Sequence, residues 1–240
     1  MAVNSGPDGI VQDGIISYVD PANKVSYPGS GTEITDLIGT NNGTISGTTF
    51  TNVDAGAWDF DGIDDRVYYS TGLNLTTSIG SYSIWVKKSD ITTGGSAIIT
   101  GNNEYRTYFN IATPPGGKVS CRFNITHLVR WTIETDNVVL SNNVWTHIAL
   151  VHNGTEAKIY IDGVAVSQSF GYHTPGWDRK QDWWAEMSPT PDRTRLAFFQ
   201  IPGYSISHWA GTITNVQIYN KALSAQEVLQ NYNALKGRFI

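Results

Sequence analysis

Along most of this chain apolar and polar residues alternate with a period of two, and turn residues interrupt the alternation about every eight to twelve residues. In Tyr82–Lys88, for example, Tyr82, Ile84 and Val86 fall on one face and Ser83, Trp85 and Lys87 on the other. The same pattern predicts strands over Gly14–Asp20, Ala57–Phe60, Arg66–Ser70, Ala97–Gly101, Tyr105–Ala112, Val119–Ile125 and Val129–Glu134. The clearest hairpin joins Val144–His152 to Ala157–Ile161 through Asn153-Gly154, a pair able to take the positive φ of a tight turn. Asp162-Gly163 then turns the chain into Val164–Gln168, offering Ile159, Ile161, Val164 and Val166 to one buried face. One segment has the period of a helix. Ser224 and Glu227 form a capping box, Leu223 and Val228 stand where a hydrophobic staple closes, and Val228, Tyr232 and Leu235 follow at helical spacing up to Gly237. The pattern predicts an all-β sandwich with one short C-terminal α-helix. No linker, charge block or internal repeat divides it, so residues 1–240 read as a single domain.

The rhythm fails between Gly171 and Ser207. Trp177, Trp183 and Trp184 occur here with Pro175, Pro189, Pro191 and Pro202 and the charged run Asp178-Arg179-Lys180-Gln181-Asp182. Only Thr194–Ile201 reads as a strand, which leaves a Trp-rich loop insertion over residues 172–192. Long ordered loops on β scaffolds usually carry function or an interface.

Four separated stretches resemble one family. Trp58-Asp59-Phe60-Asp61-Gly62-Ile63-Asp64-Asp65 resembles the Phe-Asp-Gly-x-x-Asp signature of laminin-G-like, concanavalin A-like lectin/glucanase jelly rolls. Ser83-Ile84-Trp85-Val86-Lys87 is similar to that family's strand with a central Trp. Trp145 to Val151 followed by Ile159 to Val164 is similar to its middle motif, and Gly211 to Glu227 to its last strand and terminal helix. The motifs occur in family order. The tail from Val228 to Phe239 is similar to versions of the domain found in bacteriophage virion proteins. The resemblance implies a concanavalin A-like jelly-roll β-sandwich.

Composition narrows the function classes. Charged residues are only 15% and aromatics 12%, a balance suited to a turn-rich β protein rather than a disordered one. A net charge of −5 argues against nucleic acid as a partner, because phosphate binding needs a basic surface. No apolar run is long enough to insert in a membrane, and Met1 to Gly9 lacks the basic and apolar regions of a signal peptide. The expectation is synthesis in a host cytosol and residence in a virion. The sequons at Asn42, Asn74, Asn124 and Asn153 are then a by-product of composition. Cys121, in the alternation Val119, Cys121, Phe123, is expected as a small core hydrophobe.

The resemblance also implies calcium, which many members hold near the Phe-Asp-Gly turn. Asp61, Asp64 and Asp65 supply hard oxygens at close spacing, the chemistry calcium takes. The last-strand position that is commonly acidic in relatives is here Thr214 or Asn215. The alternative is that these Asp residues cap their own turn. Catalysis is not expected. Glu134 and Asp136 are the only Glu-x-Asp pair, where a glycosidase needs two carboxylates set at a defined separation, and a solvated strand end explains them as well. The five histidines show no zinc spacing, and His147 and His152, an odd number of residues apart, should point to opposite faces.

Binding remains. Tyr172, Trp177, Asp178, Arg179, Trp183 and Trp184 combine aromatic faces with hydrogen-bonding groups, the mixture that grips sugar rings and equally the mixture of protein hot spots. Trp183 and Trp184, adjacent on an extended chain, should point opposite ways, one into the sandwich and one toward a partner. The expected function is a non-enzymatic phage structural or decoration protein, contacting other virion proteins, a second copy of itself or host cell-surface glycan. A carbohydrate-binding lectin module is the alternative, and a polysaccharide-cleaving enzyme a distant third.

Overall fold

The predicted alternations become strands, and the strands stack as two large antiparallel sheets. The computed structural model describes residues 9–53, 56–69, 73, 75–102, 107–171, 173–187, 193–199 and 207–240. Strands β1 (Ile15–Val19), β2 (Glu33–Ile34), β3 (Gly43–Ser46), β4 (Thr49–Thr51), β5 (Ala57–Asp61) and β6 (Arg66–Tyr69) open the chain. Then come β7 (Gly80–Lys88), β8 (Gly95–Asn102), β9 (Thr107–Thr113), β10 (Ser120–Ile125), β11 (Leu128–Thr135), β12 (Trp145–His152) and β13 (Ala157–Ile161). The last are β14 (Val164–Ala165), β15 (Gln168–Phe170), β16 (Arg193–Leu196), β17 (Phe198–Phe199), β18 (Ser207–His208) and β19 (Ala210–Tyr219), before helix α1 (Ala225–Lys236).

One sheet runs β14-β13-β12-β7-β19-β5-β4, with β1 also paired to β19; the other runs β15-β11-β10-β9-β8-β16-β6-β3-β2. Their inward faces close on one core that includes Tyr82, Ile84, Phe109, Phe123, Trp131 and Ile148. Cys121 lies in that core, and burial pushes its thiol well up. The outer face of the eight-stranded sheet is covered by α1. Trp85, on that face, stacks on Tyr232 at 5.6 Å and meets Phe239 at 4.5 Å, while Trp145 meets Phe239 at 4.8 Å. Both tryptophans thus pack, but beneath the helix rather than between the sheets. The capping box forms as read: Ser224 Oγ accepts from Glu227 N at 3.2 Å and the Glu227 carboxylate from Ser224 N at 2.8 Å.

Some boundaries differ. Val164 is 62% exposed, because the chain breaks pairing after β14 and resumes at Gln168, so it leaves the face expected for it. The strand expected over Thr194–Ile201 is interrupted at Ala197, whose φ of +63° ends the ladder; Ile201 lies outside the described residues. At the β12–β13 hairpin only Gly154 takes a positive φ (88°), while the Asn153 carboxamide caps the Thr155 and Glu156 amides at 2.9 and 3.0 Å. Strands of two to four residues such as β2 and β3 were not anticipated, being too short to show a period.

Candidate functional site

The Trp-rich segment does not hang from the sandwich; it is laced along the edge of β11. Gly171 N donates to Thr132 O at 2.9 Å, Thr174 N to Val129 O at 2.9 Å and Arg179 N to Arg130 O at 3.2 Å. The Trp131 indole donates to Asp182 O at 2.9 Å. Trp183 and Trp184 then enter the core together, at 0% and 1% exposure. Trp183 stacks on His152 at 4.7 Å, and an added Cβ at Gly80 would come within 2.3 Å of the Trp184 ring. This corrects the expectation that one of the pair meets a partner. Both are anchors, and the surface is made by the residues they hold in place. His152 faces this core and His147 the helix side, as the odd separation implied.

What the anchors present is Trp177. Its ring remains 38% exposed and lies over the Arg130 guanidinium, 4.3 Å from ring centre to Cζ. Arg130 is itself held by Asp182, Nε to Oδ2 at 3.6 Å, an ion pair beyond hydrogen-bond reach. Burial dominates at both ends of the pair. It pushes Asp182 up despite the opposing Arg130 and Arg179 charges, and draws Arg130 down from its ordinary value. Beside Trp177 a small cleft of about 110 Å³ is floored by Trp131 and Phe170 and walled by Thr132, His173, Asp178 and Lys180. The Lys180 ammonium sits 4.4 Å above the Phe170 ring. The structure thus brings Trp177 and Asp178 to one rim and leaves Arg179 exposed on the same segment. Tyr172 lies outside the described residues. Sequence reading pointed to His173 and Lys180 only as part of the loop and missed Arg130 and Thr132, whose meeting with the loop depends on strand pairing.

The rim continues onto the outer face of the nine-stranded sheet, where polar atoms are left over. Asn110 and Asn124 each have a buried side-chain oxygen without a hydrogen-bond partner, and so have two nitrogens of Arg130. Asn124 and Arg130 are each only 7% exposed. Burying such atoms unmatched costs about 1–3 kcal/mol each, which makes their grouping on one face notable.

Asp61, Asp64 and Asp65 also come together, each offering an oxygen within 4.8 Å of the others. Asp61 Oδ1 caps Ile63 N at 2.7 Å, and Asp65 Oδ2 accepts from Asp61 N at 2.9 Å. Burial, with the neighbouring Asp61, Asp64 and Asp59 charges, pushes Asp65 above the usual carboxylate range. In donor chemistry and reach the three fit a hard divalent cation. The last strand adds no carboxylate: the residue paired with Asp61 is Ala210. Thr214 bonds Gly56 O, and Asn215 bonds Tyr18 and Asp20, both on the β1 side of that strand.

The remaining candidate carboxylates are engaged. Glu134 pairs with Lys118 at 3.3 Å, and Asp136 accepts from the Ser169 hydroxyl at 2.6 Å and from that of Ser167, which hold it below the usual range. Ser83 Oγ lies 2.9 Å from His147 Nε2, but both side chains are sealed beneath α1.

Comparison with known proteins agrees with the fold. The Concanavalin A-like lectin/glucanases superfamily matches over residues 61–229, and the chain belongs to it. No curated protein matches the chain significantly. Among solved structures, Domain 4 of AbnA, a GH43 extracellular arabinanase from Geobacillus stearothermophilus in complex with arabinotriose, is 17% identical with a TM-score of 0.60. The match covers 91% of this chain and 98% of that one. Trypanosoma rangeli sialidase, in complex with 2,3-difluoro-KDN, is 11% identical with a TM-score of 0.67 over 99% of this chain and 36% of its own. At these identities the likeness is one of fold. Among the described residues no helix is long and apolar enough to cross a membrane.

Proposed function

We propose that this domain is a non-catalytic carbohydrate-binding module whose ligand lies against the Trp177 rim and the adjoining outer face of the nine-stranded sheet. The observation that carries the reading is Trp177 itself. An aromatic ring is kept at the surface by stacking on a buried guanidinium, beside a shallow cleft of hydrogen-bonding side chains. That is how a shallow protein site holds a sugar: the ring stacks on the apolar face and the polar groups take the hydroxyls. The shared fold with a domain solved in complex with arabinotriose supports the same direction. Calcium at Asp61, Asp64 and Asp65 is proposed as a structural ion of the turn. The virion-surface setting is a second, finer proposal, supported by the phage-like tail from Val228 to Phe239; mass spectrometry of purified particles lacking this chain would sink it. A glycan array on the 240-residue chain tests the main reading. Specific binding that Trp177→Ala abolishes without unfolding the protein supports it, and an empty array overturns it.

A further inference from the structure

We propose that a second cleft, between the start of α1 and the outer face of the β12–β13 hairpin, binds a small acidic sugar by its carboxylate. Strand alternation builds the floor. Ile159 and Ile161 turn into the core, so Lys158 and Tyr160 turn outward, and Val151, paired with Lys158 on β12, turns outward with them. The chain returns over this face at the capping turn of α1, where Leu223 packs with Val151 and Tyr160. The return leaves a cavity of about 360 Å³, lined by the apolar Val151 and Leu223 and by Tyr160, Lys158 and Ala225. That lies toward the lower end of the ~300–1,000 Å³ usual for small-molecule sites.

The polar groups around the cavity are mostly unused donors. Tyr160 is 6% exposed, yet among the described residues its hydroxyl has no hydrogen-bond partner. Burial pushes the phenol up, so it keeps its proton at neutral pH. Lys158 makes no ion pair among the described residues, although Glu156 stands two positions away on the same wall. Ala225 is the first residue of α1, so its amide has no acceptor within the helix, whereas Ser224 takes the Glu227 and Val228 amides. The Asn153 side-chain oxygen is engaged by the Thr155 and Glu156 amides, which leaves its NH₂ group as a further donor. Against these donors stands the Glu156 carboxylate as the free acceptor; Glu227 is taken by Lys221 and Ser224. A cleft short of acceptors selects a ligand rich in them. A carboxylate suits the ammonium, the phenol and the helix amide together, while ring and hydroxyl oxygens suit Asn153 and one hydroxyl proton goes to Glu156. The apolar face of the sugar ring covers Val151 and Leu223. A free amino acid fits less well, because its ammonium carries three donors into a site that offers them one acceptor. The cleft is on the opposite sheet from the Trp177 rim, so failure at either site leaves the other standing.

The test is an NMR titration of the full chain with galacturonate, galactose and leucine. Galacturonate should bind saturably with a Kd of about 1 mM, ordinary for a ligand of that size, and shift the amide signals of Lys158, Tyr160 and Ala225. Galactose lacks the carboxylate and should bind about tenfold more weakly or less. Lys158→Gln and Tyr160→Phe should each weaken galacturonate about tenfold, as loss of one charge-assisted hydrogen bond does. Lys158 is exposed and the Tyr160 hydroxyl holds nothing in the protein, so both variants should keep the natural Tm. Lys24→Gln removes the same charge beside Phe50 of β4, at the far edge of that sheet, and should leave binding unchanged. Equal binding of galactose, or binding of leucine in place of galacturonate, overturns the assigned ligand. Shifts confined to other residues, or an equal loss with Lys24→Gln, overturn the assigned site. No binding of galacturonate overturns both and leaves the Trp177 reading to its own array.

Discussion

Trp183 and Trp184 lie ring against ring, centroids 5.2 Å apart and planes 28° from parallel, although neighbours on an extended chain face opposite ways. The reason is local. Trp184 opens a 3₁₀ turn, Trp184–Glu186, fastened by the Glu186 carboxylate accepting from Trp183 N at 2.7 Å. The turn swings both indoles to the core side, and among the loop's described residues Trp177 is left as the surface aromatic.

The two kinds of tryptophan should therefore separate in a stability measurement. Trp183→Ala removes a fully buried ring and should cost about 3–5 kcal/mol. For a chain of this size that lowers Tm by about 6–20 °C in calorimetry. Trp177→Ala should shift Tm by a few degrees at most while removing glycan binding. Equal Tm losses for the two variants would contradict the anchoring role given to Trp183.

His147 should make the fold acid-sensitive. Burial holds its imidazole down at about 3 in the folded protein, whereas an unfolded chain titrates near 6.5. The folded state thus refuses a proton that the unfolded state takes. The associated stability is fully present above pH 6.5 and drains as pH falls toward 3, by about 1.4 kcal/mol per pH unit. Urea unfolding at pH 7.5 and pH 5 should show the natural protein losing about 2 kcal/mol more than His147→Gln, which keeps an acceptor for the Ser83 hydroxyl. An identical loss in both proteins would exclude His147 as the source.

Calcium should raise the melting temperature. Saturation at about a hundred times Kd stabilises by ~2.7 kcal/mol, or about 5–11 °C here. Asp64→Asn should abolish the rise, since Asp61 and Asp65 also serve as turn caps and Asp64 is the least entangled of the three. A melting temperature that ignores both calcium and chelator would leave the cluster as a capped turn only.

Much of the architecture was legible in the residues because it rests on local physics. A period of two at Tyr82–Lys88 and a capping box at Ser224 and Glu227 act within a few residues of themselves, so the strand and the helix start follow from spacing alone. The same spacing sent His147 and His152 to opposite faces. Tertiary structure decided what depends on register between distant segments. It paired Asp61 with Ala210 rather than with Thr214 or Asn215, and it buried both members of the Trp183–Trp184 pair. It also set Trp177 on Arg130, 47 positions away in the sequence. Side-chain alternation is a property of one strand, whereas a binding face is a property of many strands side by side, and their alignment is fixed only when the core between the sheets closes.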